Sequence, residues 1–187
     1  EVFFTFSTAQ KAGFRKATAE FERVSGIRFV EVDDPNDAMV RVMNTDGSAW
    51  GGWAGYGIGT RDYTNQVYLV IDGNGTYAPG SSYFEVILHE LGHVSGLKHP
   101  FDGDPRLVDN LNNDDHTLMS YTGNGKADEH LAHLDVDALQ NIYGRSGKVA
   151  DAWTWRFDEG SHQFILKGSA TRDKLIGIDA DSKIIGR

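Results

Sequence analysis

Apolar and polar positions change period several times along the chain. Residues 2–7 (VFFTFS) are rich in β-branched and aromatic side chains and predict a strand. Phe14, Ala17, Phe21 and Val24 then recur at helical spacing, and Gly26 is a natural stop shortly after. Residues 27–32 (IRFVEV) alternate like a half-buried strand, residues 38–44 (AMVRVMN) predict another, and residues 66–72 (QVYLVID) a fourth, closed by the turn DGNG. Residues 45–64 are rich in glycine and predict a loop with a short irregular strand around GWAGYG.

Helical spacing returns at residues 81–96 (SSYFEVILHELGHVSG). Ser82 as N-cap and Glu85 three residues on form a capping box. Phe84, Ile87, Leu88 and Leu91 make one apolar face, and His89 and His93, four apart, share another. Gly96 suits the helix end, because glycine takes the left-handed conformation cheaply. The chain can then turn back and bring His99 towards the other two histidines. A second helix is predicted over residues 135–144, with Asp135 as cap, Val136, Leu139, Ile142 and Tyr143 apolar, and Gly144 terminating it. Strands, a helix and then helices imply an α+β fold.

The tail adds a short repeat. KLIG at residues 174–177 returns nine residues later as KIIG at 183–186, the spacing of calcium-binding parallel β-rolls. The expected division is residues 1–150 as one domain and residues 151–187 as a β-rich tail. Trp153 and Trp155 alternate along AWTWRF, which reads as a strand packing on the preceding domain.

The length of 187 residues suits one domain with a short appendage. A net charge of −9 argues against nucleic acid as a partner, since phosphate binding needs a basic face. With no cysteine, thiolate metal ligands and a cysteine nucleophile are excluded. No apolar run approaches the ~20 residues of a membrane span. The first residue is Glu1, with no methionine and no signal-like segment, so a processed or trimmed product is expected.

The chemistry gathers in HELGHVSGLKHP, residues 89–100. Zinc prefers neutral imidazole nitrogens at about 2.0–2.1 Å, in a tetrahedral shell with one position open in catalytic sites. His89 and His93 supply two ligands from one helix face and His99 a third. Glu90 follows the first histidine and is the natural general base for water. A solvated helix face with unconnected histidines is the bland alternative, but Gly96 and His99 at these offsets argue against it. His116, His130, His133 and His162 have no partners at comparable spacing and read as surface or core residues. DGDPR (residues 102–106) and NNDD (residues 112–115) read as solvated loops, with calcium binding as the alternative.

HELGHVSGLKHP, LMSY (residues 118–121) and LDVDALQNIYG (residues 134–144) together resemble the metzincin metallopeptidases, and among them the serralysins. The resemblance implies a metzincin-type catalytic domain with a mixed, twisted β-sheet, an active-site helix, a Met-turn and a C-terminal helix, followed by a short β tail. It implies a secreted zinc endopeptidase acting on proteins or peptides, monomeric and open to a proteinaceous inhibitor. His89, His93 and His99 would bind zinc, with Glu90 as general base and then proton donor to the leaving amine. Met119 would be the Met-turn residue. Tyr121 would be a switchable zinc ligand that swings away when substrate binds; a plain wall of the cleft is its other reading. An extended substrate would add as a strand near GWAGYG, through main-chain hydrogen bonds blind to side chain.

The chain also departs from the family. After His99 and Pro100 comes FDGDPRLVDN rather than a Gly-Asp-Tyr-like run, which leaves the cleft border and any calcium site there open. The tail keeps Asp173 and Asp179, with Asp181 as a third candidate calcium ligand, but lacks the inner glycines of the repeat. Residues 168–187 are expected to be the start of a β-roll that continues in a longer natural chain and binds calcium weakly in this form. Two other functions stay open on residues alone: a calcium-dependent adhesion or interaction module with a vestigial peptidase domain, and a zinc hydrolase acting on something other than peptides.

Overall fold

A computed structural model describes residues 3–34, 37–45, 52–56, 67–72, 75–146, 154–158, 163–167 and 182–185. Ser7 opens the first helix with a reciprocal cap: its hydroxyl accepts from Gln10 N and its own N–H donates to Gln10 Oε1. The helix that follows, α1 (Thr8–Val24), buries Ala17, Phe21 and Val24, three of the four positions expected to face the core. Phe14 packs at the core margin.

Four strands form a mixed sheet in the order β1 (Phe3–Phe4), β2 (Val40–Thr45), β4 (Val67–Asp72), β3 (Gly52–Tyr56). β2 and β4 run parallel, with Val40 opposite Val67 and Thr45 opposite Asp72, and β1 and β3 join antiparallel. Leu69, Val70 and Ile71 are buried in succession, as expected of a strand covered on both faces. β3 ends this sheet among the described residues. The active helix candidate, α2 (Ser82–Val94), packs on β3, β4 and α1. Its Phe84, Ile87, Leu88 and Leu91 join Phe21, Leu69, Ile71 and Leu139 in one core. The third helix, α3 (His133–Tyr143), packs on α1. The molecule is thus α+β, with helices against a mixed sheet.

Residues 27–32 do not form the expected strand. Phe29 sets its ring edge-on against Phe21, its N–H donates to Glu22, and Glu31 pairs with Arg15, so the segment is tethered by side chains. Val30 and Val32 face solvent and find no ladder. The cap of α2 also shifts by one residue: Ser81, not Ser82, accepts from Phe84 N. Asp135 is not the N-cap residue, which is Ala132, but the third residue of α3, and its buried carboxylate accepts from the Ala132 N–H.

Three further strands make a second sheet in the order β5 (Thr154–Asp158), β6 (Gln163–Lys167), β7 (Ser182–Ile185). β5 and β6 are antiparallel, while β6 and β7 are parallel. Phe164 pairs with Ser182 and Lys167 with Ile185, so each β6 residue meets the one two nine-residue periods further on. Asp173, Asp179 and Asp181, the candidate calcium ligands, lie outside the described residues, as do His162, Trp153 and KLIG. No described helix is long and apolar enough to cross a membrane.

Candidate metal centre

α2 presents His89 and His93 on one face, one turn apart, by its own geometry. It ends at Val94, and Gly96, just past the cap residue Ser95, has a φ of +92°, the left-handed turn that lets the chain double back. Leu97 N donates to Gly92 O and closes this end, and His99 returns over the helix. The Nε2 atoms of His89 and His99 stand 3.3 Å apart, and those of His93 and His99 3.1 Å. These are the separations of about 3.3 Å that a tetrahedral shell with bonds near 2.0–2.1 Å requires. Among the described residues, these three are the one group of histidine and carboxylate donors close enough to hold a metal ion.

The other ring nitrogen of each histidine is engaged. His89 Nδ1 donates to Leu118 O at 2.7 Å, His93 Nδ1 to Leu97 O at 2.9 Å, and His99 Nδ1 to the Asp102 carboxylate at 2.7 Å. Carbonyls and an ionised carboxylate only accept, so all three protons sit on Nδ1 and all three Nε2 lone pairs converge. Three lone pairs at this distance repel; the Tyr121 hydroxyl can donate to that of His99, and a cation at the centre would relieve all three. Burial pushes the His89 pKa down from its ordinary 6.5 to about 4, with the neighbouring His93 and His99 adding to the effect and the Leu118 carbonyl opposing it. His93 moves the same way, again chiefly through burial. The His89 and His93 rings are therefore neutral and able to ligate below their ordinary titration range.

Glu90, the residue after His89, is only 7% exposed. Tyr121 is 71% exposed, yet its hydroxyl lies 2.8 Å from His99 Nε2. Its ring lies alongside His89 at 5.8 Å and against Phe101 at 5.1 Å. Partial desolvation, then the charges of Glu90 and Asp102, raise the phenol's pKa. Met119 is buried beneath α2, where its thioether lies against Gly92: a Cβ there would meet Sδ at 2.6 Å and push the methionine side chain aside.

Asp135 fastens that turn. Its carboxylate accepts from Thr117 Oγ1 at 2.6 Å, Leu118 N at 2.8 Å and Ala132 N at 3.1 Å. Its burial raises its pKa, which these donors oppose. Since Leu118 O holds His89, α3 reaches the histidine cluster through a single residue. The roles of Asp135 and Asp102 were hidden in the sequence: one reads as a helix cap and the other as a polar loop residue. The signal for Asp102 is its place three residues after His99. Among the remaining histidines, His116 and His133 pack ring against ring at 5.0 Å, and His130 pairs with Glu20.

No protein-family profile matches the chain. It is 26% identical over 204 residues to serralysin of Photorhabdus laumondii, covering 93% of this chain and 41% of that protein. To metallopeptidase AprA of Pseudomonas marginalis it is 27% identical over 205 residues, covering 93% of the chain and 42% of the relative. Serralysin A of Dickeya chrysanthemi is 26% identical over 174 residues, covering 76% and 34%. The chain spans about two fifths of the length of the first two relatives. The similarity extends far beyond the short histidine motif, and over most of its length this chain resembles the serralysins.

Proposed function

We propose that the chain is the catalytic part of a secreted, zinc-dependent endopeptidase of the metzincin class, serralysin-like, acting on proteins or peptides. The observation that carries this is the convergence of three histidine nitrogens, His99 Nε2 lying 3.3 Å from that of His89 and 3.1 Å from that of His93, with a buried carboxylate on the residue after His89. His89, His93 and His99 would hold the zinc, which when bound supplies Lewis acidity towards water and the scissile carbonyl. Glu90 takes a proton from the attacking water and passes it to the leaving amine. Buried in the helix, its carboxylate is held for that transfer. Tyr121, with its hydroxyl beside His99, is the switchable ligand; once moved aside, its phenol can donate to the oxyanion that develops on the substrate. Met119 floors the site against α2.

The substrate adds as a further strand to β3, the edge of the main sheet that packs on α2. Main-chain pairing of this kind favours unfolded or flexible chains of varied sequence. A proteinaceous inhibitor would compete for the same edge, and the enzyme works as a monomer. Residues 1–150 form the catalytic domain. Residues 151–187 begin a nonapeptide-repeat region with Asp173, Asp179 and Asp181 as calcium ligands, a reading supported by the parallel β6–β7 register at two repeat lengths.

Casein digestion with and without a zinc chelator tests the function. The chelator should abolish cleavage and added zinc restore it. Glu90→Ala should retain zinc and lose about 10²- to 10⁴-fold in rate. Cleavage by Glu90→Ala at the parent rate would rule out this mechanism.

A further inference from the structure

The three histidines differ in what orients them. His89 and His93 donate to main-chain carbonyls, Leu118 O and Leu97 O, which no substitution removes. His99 alone donates to a side chain, the carboxylate of Asp102, on an exposed turn. That turn is built around the contact. Asp102 N donates to His99 O and Leu107 N to Pro100 O. Lys98 Nζ donates to Asp102 O at 2.6 Å and Pro105 O at 2.7 Å, tying both ends of the loop to the residue before His99. Phe101 lays its ring parallel to His99, at 4° and 5.0 Å, covering one face of the imidazole.

We infer that Asp102 is a positioning residue of the metal centre: by accepting the Nδ1 proton of His99 it sets both the direction of the ring and the tautomer that leaves Nε2 bare. This rests on the three-histidine reading of the metal site. The physical need is specific to this ligand. His99 sits on a loop with no helix geometry to aim it. A proton on its Nε2 would point straight at His89 and His93, in the place of the ion. Which nitrogen carries the proton is decided by the partner of the other one. Phe101 blocks rotation out of plane but is indifferent to the tautomer, and the Tyr121 hydroxyl beside Nε2 can either donate or accept, so the proton's place falls to Asp102, which only accepts.

Zinc affinity of the whole chain, read by competition with a chromophoric chelator, tests this together with nitrogen-15 spectra of the metal-free protein at pH 8. Asp102→Ala should weaken zinc binding about ten- to a hundred-fold. The metal-free melting temperature should stay unchanged, since the side chain is exposed. In the same variant the His99 signals should move towards the Nε2–H tautomer. Asp102→Asn keeps an acceptor oxygen and should fall between parent and alanine in both readings. Parent-like affinity in Asp102→Ala, while His93→Ala loses zinc, would overturn the inference and leave the metal site standing. Weaker affinity with an unchanged His99 tautomer would overturn it too. Zinc retained by His93→Ala would remove the site itself, and the inference with it.

Discussion

Helix α2 and the turn that follows it deliver the same kind of group by opposite means. On α2, His89 and His93 are aimed by the helix itself, four residues apart, and their second nitrogens meet main-chain carbonyls. After Gly96, His99 is aimed by a loop that has no repeating geometry, and the work falls to side chains: Asp102 on Nδ1, Phe101 on the ring face, Lys98 across the loop. Regular structure makes a ligand pair insensitive to sequence beyond the two histidines. An irregular segment must encode its precision residue by residue. The helix side is not wholly self-sufficient, however, since His89 leans on Leu118 O, and Leu118 is in turn held by Asp135 from α3.

That last dependence offers the largest test. Asp135→Ala leaves the Leu118 and Ala132 N–H groups and the Thr117 hydroxyl without their buried acceptor, and should cost about 3–5 kcal/mol in a denaturant titration. A loss under about 1 kcal/mol would mean that the turn beneath α2 holds without α3, and that the helix pair stands alone after all.

Acid separates the two regions next. In the chelator-treated protein His89 has a folded-state pKa of about 4, below its ordinary 6.5, so the unfolded chain takes up its proton first. Its contribution is fully present above about pH 6.5 and is lost as the pH falls towards about 4, a change of about 3 kcal/mol. His93 acts in the same direction. Melting temperatures of the metal-free chain should fall across that window, and less steeply in His89→Gln. Parallel curves for the two proteins would show that burial of the helix histidines carries no such cost.

The smallest effect is expected at the junction between the regions. Gly96→Ala puts a side chain on a left-handed residue, φ +92°, with open space around it, the nearest atom being Ile142 Cδ1 at 3.9 Å. Only the backbone strain remains, about 1 kcal/mol in stability. Calorimetry of the metal-free chain reads it. A much larger loss would mean that the turn back to His99 is more tightly coupled to the core than its exposure indicates.

Much of this was written locally. The helical spacing of Phe14, Ala17, Phe21 and Val24 set the buried face of α1, and the four-residue spacing of His89 and His93 with the glycine at 96 set the outline of the histidine cluster. Alternation misled at residues 27–32, because a strand also needs a neighbour to pair with, and Phe29 and Glu31 found partners on α1 instead. The consecutive serines 81 and 82 offered two caps, and only the hydrogen bond to Phe84 N chose between them.

Sequence alone determined the candidate ligands: three imidazoles at offsets that one helix and one turn can bring together, with Glu90 beside the first. It also determined the buried faces of α1 and α2, since periodicity is a property of the chain by itself; on α3 only Leu139 of the expected apolar positions is fully buried, and Ile142 is exposed. Tertiary structure decided where each proton sits and what holds each ring. Leu118 O, Asp135 and Asp102 act through distances between segments far apart in order or on an irregular loop, and no residue pattern records a distance of that kind.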